Sequence, residues 1–111
     1  MTTRDLSKFH EMNVAKALGG HRTPNSGATP FTKGDVVLDD FIVECKTKMT
    51  EATSFGIKKE WLDTLEEERR GMGKDFSALA FSFNSGKDSY YIVNERTFKQ
   101  LVECKHIVDN L

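Results

Sequence analysis

Asp35, Glu44 and Lys46 place two carboxylates and an ammonium in the spacing Asp-x8-Glu-x-Lys. Strand residues two apart point to the same side, so Glu44 and Lys46 project together while Val43 and Cys45 point the other way. Asp35 lies just before the apolar run Val36-Val37-Leu38, and a turn at Asp39-Asp40 would bring it back toward Glu44 and Lys46. Converging carboxylate oxygens suit a hard divalent cation, Mg²⁺ or Mn²⁺, over zinc. Such an ion polarises a phosphodiester and activates water, while a neighbouring lysine orients or deprotonates that water and offsets phosphate charge. Phosphodiester hydrolysis is the chemistry these groups favour. Glu-x-Lys is also a common solvated strand face, and Gly-Asp a frequent turn. Context adds weight to the functional reading: Phe41-Ile42-Val43 runs unbroken into Glu44, which puts the charges at the end of a central strand, where an unpaired charge is costly.

These residues need elements to position them. A helix over about 6–18 ends at Gly19-Gly20, with Leu6, Phe9 and Met12 on one stripe and Val14, Ala15 and Leu18 on another. Glu11 shares the second stripe. It is a candidate third ligand, direct or through water, or else a rim carboxylate paired with Lys8. The segment 23–32, rich in proline, threonine and glycine, favours a loop. Val36-Val37-Leu38 and Phe41 to Thr47 read as a hairpin. Ser54 is positioned to cap a second helix carrying Ile57, Trp61 and Leu65 on one stripe, stopped at Gly71. Phe76 to Phe83 and Tyr90 to Val93 read as a second hairpin, and Asn94 caps a last helix with Phe98, Leu101 and Val102. Trp61 is expected in the core, and of Tyr90 and Tyr91 one ring is expected inward.

A chain of 111 residues, 38% hydrophobic and 30% charged, fits one α/β domain with a single core. The start Met1-Thr2-Thr3-Arg4-Asp5 lacks the apolar stretch of a signal peptide, and no run approaches the roughly 20 apolar residues of a membrane span. The expected location is the cytoplasm, or the host cytoplasm for a phage-encoded chain. Cys45 and Cys104 lack ligand spacing and read as buried structural thiols. His10, His21 and His106 share no ligand or nucleophile spacing. A net charge of −1 gives no overall attraction for a polyanion, so binding DNA must rest on local placement. Arg4, Lys8, Lys16, His21, Arg22 and Lys33 precede the catalytic strand, while Glu66, Glu67 and Glu68 load the later helix. Lys48, Lys58 and Lys59 lie where a phosphate backbone would pass, or else are plain solvated side chains.

Gly34-Asp35 followed by Glu44-Cys45-Lys46 resembles the motif of PD-(D/E)xK nucleases. Arg22-Thr23-Pro24-Asn25-Ser26-Gly27-Ala28 resembles the arginine and Ser-Gly segment of archaeal-type Holliday-junction resolvases, and the resemblance extends over most of the chain. It implies a restriction-endonuclease-like core, a mixed central β-sheet flanked by helices, and Mg²⁺-dependent cleavage of branched DNA by a homodimer. Carried over residue by residue, the early-helix glutamate falls on Glu11, the motif aspartate on Asp35, the acidic and basic pair on Glu44 and Lys46, and the serine on Ser26. Arg22 and Ser26 would meet the phosphate backbone. The chain departs from the motif at Gly34, where the pattern carries proline. The two-sided first helix suggests the dimer surface, one stripe covering the sheet and the other a partner. The alternative class is a non-catalytic nucleic-acid or protein-binding module on a nuclease-like scaffold.

Overall fold

The computed structural model describes residues 2–23 and 34–111. Ser26 and Lys33, expected on the DNA path, lie outside these residues.

The first helix, α1 (Thr3–Leu18), begins earlier than its apolar pattern suggests. Thr2 accepts a hydrogen bond from the Asp5 amide while the Asp5 carboxylate accepts from the Thr2 amide, a reciprocal cap that satisfies donors the helix leaves open. His10 and Val14 are buried, whereas Phe9, Met12 and Leu18 are exposed. The chain continues through β1 (His21–Arg22), β2 (Val36–Val37), β3 (Phe41–Thr47), α2 (Lys59–Gly71), β4 (Phe76–Ser82), β5 (Tyr90–Ile92) and α3 (Glu95–Asp109). The strands form one five-stranded sheet in the order β1-β2-β3-β4-β5. Both expected hairpins are present, with Val36 opposite Val43 and Phe81 opposite Tyr90. β3 and β4 run parallel, which requires a long crossover, and α2 supplies it. The chain is thus an α/β fold with a mixed sheet flanked by three helices.

Alternation along the strands fills two layers. Val36, Val43, Ala78 and Ala80 pack with Val14 of α1, while Ile42 and Leu79 pack with Leu65 of α2. Glu44 and Lys46 share the parity of Ile42 and extend toward α2; Cys45 shares that of Val43 and packs toward α1.

The second helix corrects one expectation. It begins at Lys59, with Lys58 in the capping position and no side-chain cap, so Ser54 does not start it. Residues 51–58 instead run without helix, and Phe55 there meets Trp61, Phe81 and Phe83. Aromatic burial thus overrides a local capping signal. Tyr90 and Tyr91 are both exposed, because β5 is an edge strand. Cys104 is exposed on α3 rather than buried, and both cysteines are free thiols.

The loop between β4 and β5 is tied to α1. Asp88 accepts from the Phe83 and Asn84 amides and the Ser82 hydroxyl, and Ser89 Oγ lies 3.1 Å from His10 Nε2. Gly86, at φ +81°, approaches so closely that an added Cβ would sit 2.9 Å from His10 Cβ. Gly86→Ala combines left-handed strain with overpacking, and a loss of about 2–4 kcal/mol is expected in urea unfolding. A change under about 0.5 kcal/mol, the range of an ordinary surface substitution, would show that this contact does not constrain the loop.

Candidate active site

Asp35 is placed by its backbone. Its N–H donates to the Val43 carbonyl (2.9 Å), and its Oδ2 accepts from the Cys45 N–H (2.8 Å), so the carboxylate is pinned against β3 one residue from Glu44 and from Lys46. Gly34, just before it, is buried at φ +78°. Proline locks φ near −65°, so it cannot take this conformation, and glycine can. The backbone at residue 34 therefore suits glycine and excludes proline. Thr23 completes the brace: its N–H donates to the Asp35 carbonyl (3.0 Å) and its hydroxyl to the Gly34 carbonyl (2.6 Å). Nothing in the sequence singled Thr23 out, because its partners are backbone atoms eleven and twelve residues away.

The Glu44 carboxyl donates a hydrogen bond to the Asp35 carboxylate, so the negative charge of the pair settles first on Asp35. Burial is the main reason that Glu44 holds this proton up to about 7, and the adjacent Asp35 charge adds to it. Asp35 is also raised by burial, while the Cys45 amide and Lys46 pull it down. Glu68 on α2 further disfavours ionised Glu44. Burial, then the surrounding carboxylates, push the Cys45 thiol far up, so Cys45 is no nucleophile.

Lys46 Nζ lies 3.7 Å from Glu44 Oε1 and 4.7 Å from the Trp61 ring centroid. The indole face fixes a flexible ammonium beside the carboxyl pair. Trp61 belongs partly to the α2 layer, as expected of a core residue, yet it also lines an open groove between β3 and α2 with Glu44, Lys46, Thr64, Glu60 and Glu68. Sequence reasoning missed that second role. Its signal was the position of Trp61 on the helix facing the Glu44 and Lys46 side of the strand.

Glu11 approaches Asp35 closely enough for mutual repulsion, which with burial raises its pKa. It pairs with Arg22 at 3.4 Å through both Nε and Nη2. Glu11 and Arg22 thus engage each other in the protein alone. Lys48 stands over the Phe55 ring and Lys58 over Trp61. Both are exposed on the same side of the site as Lys46.

Among the described residues no three His, Cys, Asp or Glu side chains are arranged as a metal-binding group. A magnesium ion asks for less, since it keeps several waters and takes one or two carboxylates with substrate phosphate oxygens. Asp35 and Glu44, two half-buried carboxyls close enough to influence each other's ionisation, could together hold one such cation. Among the described residues no helix is long and apolar enough to cross a membrane. The chain matches no protein-family model, no curated protein and no solved structure.

Proposed function

We propose that this protein is a Mg²⁺-dependent DNA endonuclease with a restriction-endonuclease-like core, acting on branched DNA. The observation that carries the reading is the Asp35 carboxylate held on β3 by the Cys45 N–H (2.8 Å), between Glu44 and Lys46, with the Lys46 ammonium 3.7 Å from the Glu44 carboxyl. Buried like charges are costly, and a fold that forces two carboxyls together beside a fixed cation has a use for their combined charge.

Asp35 and Glu44 would hold the divalent ion, which when bound supplies Lewis-acid polarisation of the scissile phosphate. Lys46, held by Trp61, donates hydrogen bonds to the attacking water and to a non-bridging phosphate oxygen, and its charge offsets the negative charge that builds as the P–O bond breaks. The Cys45 amide keeps Asp35 aligned throughout. Glu60 and Glu68 line the groove on the α2 side and repel phosphates there, whereas exposed Lys48, over Phe55, and Lys58, over the Trp61 ring that Lys46 also covers, offer positive charge near the site. A backbone that bends around the site fits this distribution better than a straight duplex lying across α2. Glu44 must lose its proton to serve, so the acid limb of the rate profile is expected to rise through about pH 7.

Cleavage of labelled linear, nicked, flap and four-way DNA at equal concentration tests the substrate class. Branched substrates are expected to be cut at least about tenfold faster than linear duplex, a difference of about 1.4 kcal/mol in barrier. Equal rates would leave a nuclease without structural preference. No cutting of any of the four would refute the proposal.

A further inference from the structure

Beyond the carboxyl ends of the parallel strands β3 and β4 lies a second cleft, of about 370 Å³. Glu51 borders it after β3, Phe83, Asn84, Lys87 and Asp88 after β4, and Tyr90 at the start of β5. Open sheets bind ligands at this end of parallel strands, and the volume falls in the range of small-ligand clefts. Tyr90 is 53% exposed, yet its ring is fixed: Phe81 stacks on it at 5.7 Å, and Phe83 meets it edge-on at 5.4 Å. Phe55 packs against Phe81 and Phe83, and the Lys48 ammonium stands over Phe55 at 5.2 Å. Sheet register joins this cluster to the proposed active site. Lys46 lies opposite Phe81, and Phe81 opposite Tyr90, so the three share one face in one row across β3, β4 and β5. Strands lie about 4.8 Å apart, which puts Tyr90 about 10 Å from the Lys46 strand position.

We propose that the cleft at Tyr90 binds one unpaired nucleobase of the strand whose phosphate lies at Asp35, Glu44 and Lys46, a subsite that rests on the reading of this protein as a DNA endonuclease. The span from Lys46 to Tyr90 is about three steps of a stacked strand at roughly 3.4 Å each, and fewer where the strand is unstacked. Charge sets the route. Glu60 and Glu68 border the groove on the α2 side and repel the strand there, whereas exposed Lys48 stands beside the aromatic cluster that leads to Tyr90. The cleft itself suits a base and not a phosphate, because Glu51 and Asp88 set two carboxylates around it beside the Lys87 ammonium. Asp88 stays ionised, held below its ordinary value first by the Ser82 hydroxyl and then by loop amides. A base is uncharged and planar, its amino groups donate to carboxylates, and the Asn84 side-chain amide offers both a donor and an acceptor. A base inside a duplex has its faces stacked and its pairing edge taken, so only one freed from pairing can lie against Tyr90. Flapped or splayed branches supply such bases, and the cleft reads an unpaired nucleotide beside the cut.

The test is binding of the full chain to a labelled flap DNA, followed by fluorescence anisotropy with chelator present so that no strand is cut. In a series of these DNAs each unpaired position near the branch in turn lacks its base. Wild type is expected to lose about tenfold in affinity when one particular base is missing, the usual worth of a base stacked on an aromatic side chain. Tyr90→Leu is expected to bind the parent DNA about tenfold more weakly and to be indifferent to that missing base, whereas Tyr90→Phe keeps both the affinity and the dependence. Tyr90 is more than half exposed on an edge strand, so the three proteins are expected to melt close together. Should Tyr90→Leu fail to fold, the missing-base series on wild type still decides. A series in which no single base matters to wild type would overturn the subsite, as would a folded Tyr90→Leu protein that binds as wild type does. Either result leaves the endonuclease reading standing, because cleavage by wild type is scored separately with Mg²⁺. A wild type that binds none of these DNAs would overturn the subsite too, and one that also cuts none of them with Mg²⁺ would overturn both readings.

Discussion

Lys46→Ala is expected to lower single-turnover cleavage by at least about a thousandfold while the protein remains folded. The Lys46 side chain is one-third exposed and leans on Trp61 without filling the core, so truncating it costs little packing. Its ammonium is the cation that acts on both carboxyls of the pair, whereas Lys48 stands over Phe55 and Lys58 over Trp61 at 5.8 Å. Losing it also removes a positive charge that favours ionised Glu44, so Glu44 holds its proton more tightly. Asp35→Asn should be as damaging, since it halves the carboxylate pair while keeping a side-chain oxygen that can accept from the Cys45 amide. Circular dichroism and melting curves on the same samples separate lost chemistry from lost fold. A folded Lys46→Ala protein that cuts within about tenfold of wild type would remove Lys46 from the mechanism, because such a loss is only about 1.4 kcal/mol.

The second large effect concerns the protein without metal. Glu44 in the folded state holds its proton up to about 7, above the ordinary value of 4.5. For a carboxyl raised in this way, the native state binds a proton that the unfolded chain releases. Its contribution to stability is full below about pH 4.5 and is lost as pH rises through about 7. Apo protein should therefore lose on the order of 2 kcal/mol between pH 5 and pH 8, which for a domain of this size is a fall of roughly 10 °C in melting temperature. Glu44→Gln carries no charge there and should flatten this slope, making the variant more stable than wild type at pH 8 and unable to cleave. Mg²⁺ should stabilise wild type at pH 8 by mass action and leave Glu44→Gln nearly unmoved. Parallel melting curves across pH, with and without 10 mM MgCl₂ (about a hundred times a Kd on the order of 0.1 mM), test both halves. A wild-type slope matched by Glu44→Gln would show that the proton resides elsewhere.

The sequence made the core of the site legible because strand parity is rigid. Once Phe41 to Thr47 is a strand, Glu44 and Lys46 must share a side, and a hairpin at Asp39-Asp40 must return Asp35 to them. Apolar periodicity likewise located both hairpins and the body of each helix. Local sequence failed where the decisive contact was distant or involved backbone. Ser54 looked like a cap, but Phe55 beside it found an aromatic cluster across the sheet. The brace from Thr23 to residues 34 and 35 uses carbonyls, which carry no residue signature. The positive φ of Gly34 was not legible in the sequence, because it depends on how the chain enters β2. Glu11 was rightly placed near Asp35, but the same chain segment also brought Arg22 within reach of it, and the two pair. Cys104 was read as buried because its neighbours are apolar, a pattern that here marks an uncovered face.

The site at Asp35, Glu44 and Lys46 is tested most directly by single-turnover cleavage of a four-way DNA junction, comparing wild type with Glu44→Gln prepared identically. Each is assayed with Mg²⁺ and with chelator. Wild type with Mg²⁺ is expected to cut, and wild type with chelator, Glu44→Gln with Mg²⁺ and Glu44→Gln with chelator to leave the junction intact. Cleavage by folded Glu44→Gln at the wild-type rate, or cleavage by wild type that persists in chelator, would contradict the account.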